Sequence, residues 1–227
     1  MPQRTNLLFI LTDDQGYWTM GCSGNSEIRT PNLDRLAATG LRFENFFCAS
    51  PVCSPARASI LTGRIPSQHG VQDFLSGGNS NLFRPDDRGI EYLAGLTAYT
   101  DILSEQGYNC GLSGKWHLGY SEKPQKSFEF WDVHAFGAGP YYEPSMIRDG
   151  KTYESTEYVS DLFTDNALKF LEDQKGSDKP FCLNVHYTAP HAPWQREHHP
   201  KELFDDYHEN CPFESTPNVP MHPLQLF

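Results

Sequence analysis

The sequence predicts an α/β domain built on a mostly parallel central sheet flanked by helices. Three observations carry that expectation. Short apolar runs alternate with amphipathic segments from Asn6 to Tyr187, the pattern of strands and helices wound around one sheet. Val159, Leu162, Phe163, Ala167, Phe170 and Leu171 recur at helical spacing within Thr156–Gln174, which makes that stripe core. Finally, acids, a lysine and histidines follow directly on the apolar runs. In open α/β sheets ligands bind at the carboxyl ends of the strands.

Taken in order, Asn6 to Thr12 reads as a buried parallel strand ending at Asp13 and Asp14. Two adjacent carboxylates repel each other unless a cation lies between them, so the pair suggests a hard divalent metal, with an ordinary acidic turn as the alternative. Thr30 to Gly40 is a short helix, with Thr30 as N-cap, Pro31 in the first turn, Gly40 as the stop and Leu33, Leu36 and Ala37 on one face. Leu41 to Phe47 is expected to be a strand. His69-Gly70 makes a turn, and Ser76 to Asp87, rich in Gly, Asn, Ser and Asp, is a surface loop. Thr97 to Gln106 is a helix that Gly107 ends, and Tyr108 to Ser113 is a strand running into Gly114-Lys115-Trp116-His117. Ser121 to Tyr153 shows no clear period and is expected to be an excursion over the active-site face. Phe181 to Tyr187 is a further strand, running into Thr188-Ala189-Pro190-His191. His198, His199, His208 and His222 fall in a segment expected to be solvated and irregular.

The stretch Cys53-Ser54-Pro55-Ala56-Arg57 organises the chain. Pro55 suits the first turn of a helix, which puts Cys53 at or just before a helix N-terminus. Free backbone N–H groups there favour an anion. Arg57, about one turn on, can fork two hydrogen bonds onto a tetrahedral oxyanion. Spacing alone leaves open a buried structural cysteine with a surface arginine, and likewise a surface Lys115 beside a packed His117.

Cys53-x-Pro55-x-Arg57 followed by Leu61-Thr62-Gly63-Arg64 resembles the signature of the type I sulfatases, within the alkaline phosphatase-like superfamily. Asn6 to Gly16, Gly114 to Gly119 and Thr188 to Trp194 are similar to three further landmarks of that family. The resemblance implies that a separate maturation enzyme converts Cys53 to formylglycine, whose hydrated aldehyde is the nucleophile. It implies that Asp13, Asp14 and residue 53 bind calcium. Arg57 and Lys115 would then contact the sulfuryl group, His117 the formylglycine and His191 the bridging oxygen of the ester. The substrate would be a sulfated small molecule or saccharide, the ester of a carbohydrate or an aryl alcohol. Trp116, Trp131, Tyr141, Tyr142 and Trp194 are candidates for stacking on sugar rings and equally for the core.

The net charge is −11, from 18 basic and 29 acidic residues. Such a surface repels polyanions and argues against nucleic acid as a partner; a sulfated substrate needs local positive charge. No stretch is long enough to span a membrane, and no signal peptide is legible before Asp13. As written the chain is expected to be cytoplasmic, or periplasmic or secreted if a signal was removed. Removing Cys53 from the six cysteines leaves an odd number, so reduced, mostly buried thiols are expected.

The resemblance covers the first half of the family's catalytic domain: residues 1–195 as its N-terminal part and 196–227 as an irregular, Pro- and His-rich continuation. Two further calcium ligands and a sulfate-binding lysine of the family lie beyond the region matched, so the fold is expected to be C-terminally incomplete. An unpaired sheet edge and an uncovered apolar face are then expected, with self-association or a looser C-terminal portion as the consequence. Two further functional readings are a phosphonate or phosphodiester hydrolase using the same residues, and an inactive fragment that binds anions or a partner.

Overall fold

A computed structural model describes residues 4–77, 89–216 and 220. Its strands are β1 (Leu7–Leu11), β2 (Asn109–Lys115), β3 (Phe130–His134), β4 (Ser145–Arg148), β5 (Lys151–Glu154) and β6 (Phe181–His186). Its helices are α1 (Pro31–Thr39), α2 (Cys53–Thr62), α3 (Pro66–His69), α4 (Tyr99–Glu105), α5 (Val159–Asp173) and α6 (Lys201–Asn210). The chain divides into two compact units, residues 1–15 with 47–198 and residues 16–46 with 199–227.

The first unit holds one sheet of order β1-β6-β2-β3-β4-β5. β1, β6, β2 and β3 are parallel, and β4 and β5 are antiparallel additions. The fold is therefore the expected α/β class. Side chains alternate across the sheet. Cys110, Leu112 and Cys182 join a core with Ala58 and Leu61 of α2 and Ala98 just before α4. Leu183 and Val185, one residue out of phase, pack with Ala167 and Phe170 of α5 on the other face. Gly111 of β2 lies under α5, where a Cβ would stand 2.9 Å from the Phe170 ring. Each fully buried Phe or Leu contributes about 1.5–3 kcal/mol, so the α5 stripe clamps β2, β3 and β6 together.

Several expectations need correction. β1 is parallel but not buried: Leu7, Leu8 and Ile10 are 40%, 53% and 55% exposed, because among the described residues β1 is an edge strand that pairs only with β6. Ser121 to Tyr153 is no excursion; it contains β3, β4 and the start of β5. The β4–β5 hairpin turns at Asp149-Gly150, both with positive φ, a turn signal the sequence displays openly. Residues 41–47 form no strand; Leu41, Phe43, Phe46 and Phe47 are all largely exposed. Cys110 and Cys182 are the only buried cysteines of the six, Cys48 being exposed, and all six are free thiols. Trp116, Trp131 and Tyr141 are core, whereas Trp194 is half exposed. Of the expected surface loop, residues 78–87 lie outside the described residues.

In the second unit α1 runs as expected, but Thr30 does not cap it through its side chain. Its hydroxyl donates to Asp34 Oδ1 and accepts from the Gly21 N–H. The segment expected to be irregular contains α6, where His208 on the helix and His199 just before it flank the Phe204 ring; His222 lies outside the described residues. Among the described residues, no helix is long and apolar enough to cross a membrane.

Candidate active site

Four parallel strands deliver their carboxyl ends to one edge of the sheet, and the candidate residues gather there. Asp13 and Asp14 follow β1, Lys115 ends β2 and His191 follows β6. Two main-chain hydrogen bonds tie the first and last of these segments together: Tyr187 N–H to Leu11 O at 2.8 Å, and Asp13 N–H to Ala189 O at 3.1 Å. Asp14 has φ 58°, the left-handed conformation that Asp tolerates better than most residues.

Cys53 is the first residue of α2, with Val52 as the extended N-cap and Gly63 closing the helix in the left-handed region. The reading of Pro55 as a first-turn residue therefore holds. Arg57 is 3% exposed, not on the surface. Its Nη2 donates to Asp13 Oδ2 at 2.9 Å and its Nη1 to the Lys115 carbonyl at 2.9 Å. Lys115 Nζ stands 2.5 Å from the same Asp13 oxygen. Apart from that ion pair, Lys115 Nζ has no hydrogen-bond partner among the described residues, and Arg57 Nε has none there at all.

Burial alone would raise the Asp13 carboxyl, but Arg57 and Lys115 outweigh it and hold the group below the usual carboxylate range. Burial pushes Lys115 down, and the Arg57 charge adds to that. One carboxylate thus faces two cations in a site sheltered from water, so the trio carries spare positive charge within a chain whose net charge is −11. That is the local positive charge an anionic substrate needs.

His117 is 1% exposed and adopts φ 55°. Its Nε2 lies 3.0 Å from the Leu75 carbonyl, so the ring proton is assigned there. Nδ1 is then an acceptor, 3.3 Å from Cys53 Sγ. Burial and the Lys115 charge push His117 down to about 3, which keeps the ring neutral. The segment after β3 closes over this ring: a Cβ on Gly137 would stand 2.2 Å from His117 Nε2. Gly137→Ala is therefore expected to destabilise the fold by about 1–3 kcal/mol through overpacking, read as a lower urea midpoint. An unchanged midpoint would mean that the segment moves aside freely.

His191 donates from Nδ1 to the Ala192 carbonyl at 2.7 Å, which leaves Nε2 facing Asp14 Oδ2 at 3.7 Å. Tyr141 OH donates to the His191 carbonyl at 2.6 Å and anchors the loop. The structure thus brings Asp13, Asp14, Cys53, Arg57, Lys115, His117 and His191 to one sheet edge. Sequence reasoning missed His186, the last residue of β6, whose Nδ1 lies 3.2 Å from Arg57 Nη1. Its signal was faint: a histidine inside an otherwise apolar strand.

A cavity of about 200 Å³ is lined by Asp13, Asp14, Cys53 and Arg57, among others. Its hard carboxylate oxygens suit calcium in kind, but calcium takes 6–8 oxygens. Among the described residues, no group of three or more His, Cys, Asp and Glu side chains is arranged to hold a metal. Asp13 and Asp14 could supply part of such a shell and not all of it.

The Sulfatase family model matches residues 5–218. The chain is 34% identical over 219 residues to the N-acetylglucosamine-6-O-sulfatase of Bacteroides thetaiotaomicron, covering 90% of this chain and 36% of that protein. It is 34% identical over 221 residues to the N-acetylgalactosamine-6-sulfatase of Homo sapiens, covering 85% of this chain and 40% of that one. A solved structure of a protein in complex with its substrate D-glucosamine-2-N,6-O-disulfate superposes with TM-score 0.71 at 35% identity, over 85% of this chain and 36% of that one. The chain thus spans well under half the length of these curated relatives. With the family model matching nearly the whole chain and the signature residues gathered at one sheet edge, the chain belongs to the sulfatase family.

Proposed function

We propose that this chain carries the sulfate-binding and nucleophile half of a sulfatase active site, acting on the 6-O-sulfate ester of an N-acetylated or N-sulfated amino sugar. The observation that carries the reading is a pair of buried donors near Cys53: Arg57 Nε, without a hydrogen-bond partner among the described residues, and Lys115 Nζ, which has more N–H groups than its ion pair with Asp13 uses. A buried N–H left unmade costs about 1–3 kcal/mol, and a tetrahedral oxyanion would satisfy both. The amino-sugar part of the proposal follows the two relatives named for hexosamine 6-sulfates and the glucosamine disulfate complex.

Each side chain then has a role. Arg57 and Lys115 neutralise the sulfuryl oxygens as charge builds on them, and Asp13 keeps both cations aimed at the pocket. His117 Nδ1 accepts a hydrogen bond from the side chain of residue 53 and orients it. His191 Nε2 delivers a proton to the leaving alcohol oxygen, its ring held by the Ala192 carbonyl. When present, formylglycine at position 53 supplies an oxygen nucleophile that a thiol lacks, and calcium on Asp13 and Asp14 supplies further positive charge.

The test uses protein co-expressed with a formylglycine-generating enzyme and supplied with calcium. Sulfate release from N-acetylglucosamine 6-sulfate is compared with hydrolysis of a phosphate diester of the same sugar. The proposal expects the sulfate ester to be cleaved faster. Preference for the diester would replace it with a phosphodiesterase reading. An unmodified Cys53 peptide by mass spectrometry with no turnover of either ester would favour an anion-binding fragment.

A further inference from the structure

We infer that His186 is a positioning residue for Arg57, holding the guanidinium through an unprotonated Nδ1. His186 lies on the same face of β6 as Cys182 and Asn184, the face covered by α2 and α4, and is 2% exposed. β2 is pressed against its backbone: Gly114 has φ 114°, and a Cβ there would meet His186 O at 2.0 Å. The imidazole is therefore held from its own strand and from the neighbouring one.

Three polar atoms meet at its Nδ1 end. Arg57 Nη1 lies 3.2 Å from Nδ1, the Lys115 carbonyl also lies 3.2 Å from Nδ1, and Nη1 donates to that carbonyl at 2.9 Å. Nδ1 is thus either a donor to the carbonyl or an acceptor from the guanidinium. Arginine only donates, and a ring N–H turned toward Nη1 would set one donor against another beside a full positive charge. Nδ1 is therefore the acceptor and the ring proton sits on Nε2, buried there at the cost of an unmade N–H; a Nδ1–H donating to the Lys115 carbonyl is the alternative that the ring tautomer decides. Burial and the Arg57 charge push His186 down to about 3, which agrees with a neutral ring. Nε2 has no hydrogen-bond partner among the described residues, and the Phe9 ring meets the imidazole edge-on at 5.9 Å.

The consequence is geometric. With one Nη1 hydrogen on the Lys115 carbonyl, the other on His186 and Nη2 on Asp13, rotation of the planar guanidinium about the Nε–Cδ bond is restrained. Its unpartnered Nε stays presented. Without His186 the Lys115 carbonyl and Asp13 would still hold the guanidinium, but the second Nη1 hydrogen would lose its acceptor. That Nε meets a sulfuryl oxygen rests on the function proposed above; the hydrogen-bond assignment does not.

Long-range ¹⁵N–¹H correlation of the histidine rings tests the assignment directly in the unmodified protein. The His186 ring is expected in the Nε2–H form at neutral pH; a Nδ1–H ring overturns the inference. Titration with inorganic sulfate tests the consequence. His186→Leu is expected to weaken sulfate binding about tenfold. His186→Asn, whose Oδ1 can still accept from Nη1, is expected to restore most of it. Equal affinities in both variants and the wild type would refute the positioning role. A wild-type protein that ignores sulfate would count against the sulfatase reading, and the ring tautomer would then decide the His186 question alone.

Discussion

Asp13→Ala is expected to destabilise the first unit by about 3–5 kcal/mol, the cost of leaving buried charge without its partner. Two cations lose their counterion at once, since Arg57 Nη2 and Lys115 Nζ both rest on Asp13 Oδ2. A typical domain has only about 5–15 kcal/mol to lose, so the urea midpoint should fall steeply or folding should fail. Asp13→Ala combined with Lys115→Met should recover part of the loss, because removing both members of a buried pair costs less than removing one. A single-variant loss below about 1 kcal/mol would mean that water reaches the trio and screens it. The pH dependence follows with a definite sign. Asp13 titrates lower folded than unfolded. Its contribution is therefore whole above the ordinary value of 3.8 and fades as pH falls through the lower folded value.

Cys53→Ala is the second large effect, on chemistry and not on stability. Removing an enzyme nucleophile lowers turnover by roughly 10⁴-fold or more, and sulfate release from N-acetylglucosamine 6-sulfate should vanish into background. The fold should survive, because Cys53 is half-buried and opens α2 without contributing a side-chain cap. Equal turnover in Cys53→Ala and wild type would end the nucleophile assignment. Cys53→Ser is milder, since a hydroxyl keeps an oxygen at the position.

Much of this was legible in the chain because the informative residues are punctuation. Asp13-Asp14, Gly114-Lys115 and Thr188 to His191 each terminate an apolar run, so a parallel sheet brings them to one edge without further assumption. Pro55 marked the first turn of α2 in the same way. What escaped was pairing. β3 carries Asp132 and His134 inside a buried strand; Arg148 and Tyr153 from the hairpin satisfy Asp132, and no local pattern announces such partners. His186 escaped for the same reason, its meaning lying in an arginine far away in sequence. Leu41–Phe47 shows the opposite error: a strand-like run that forms no strand.

The central claim is that a sulfuryl group is held over position 53 by Arg57 and Lys115. A crystal structure of Cys53→Ala soaked with N-acetylglucosamine 6-sulfate tests it most directly. The account predicts the sulfuryl oxygens within hydrogen-bond reach of Arg57 and Lys115, with the bridging oxygen turned toward His191 Nε2. A sulfate ester bound elsewhere, with the Arg57–Lys115–Asp13 trio closed on itself and untouched, would contradict it.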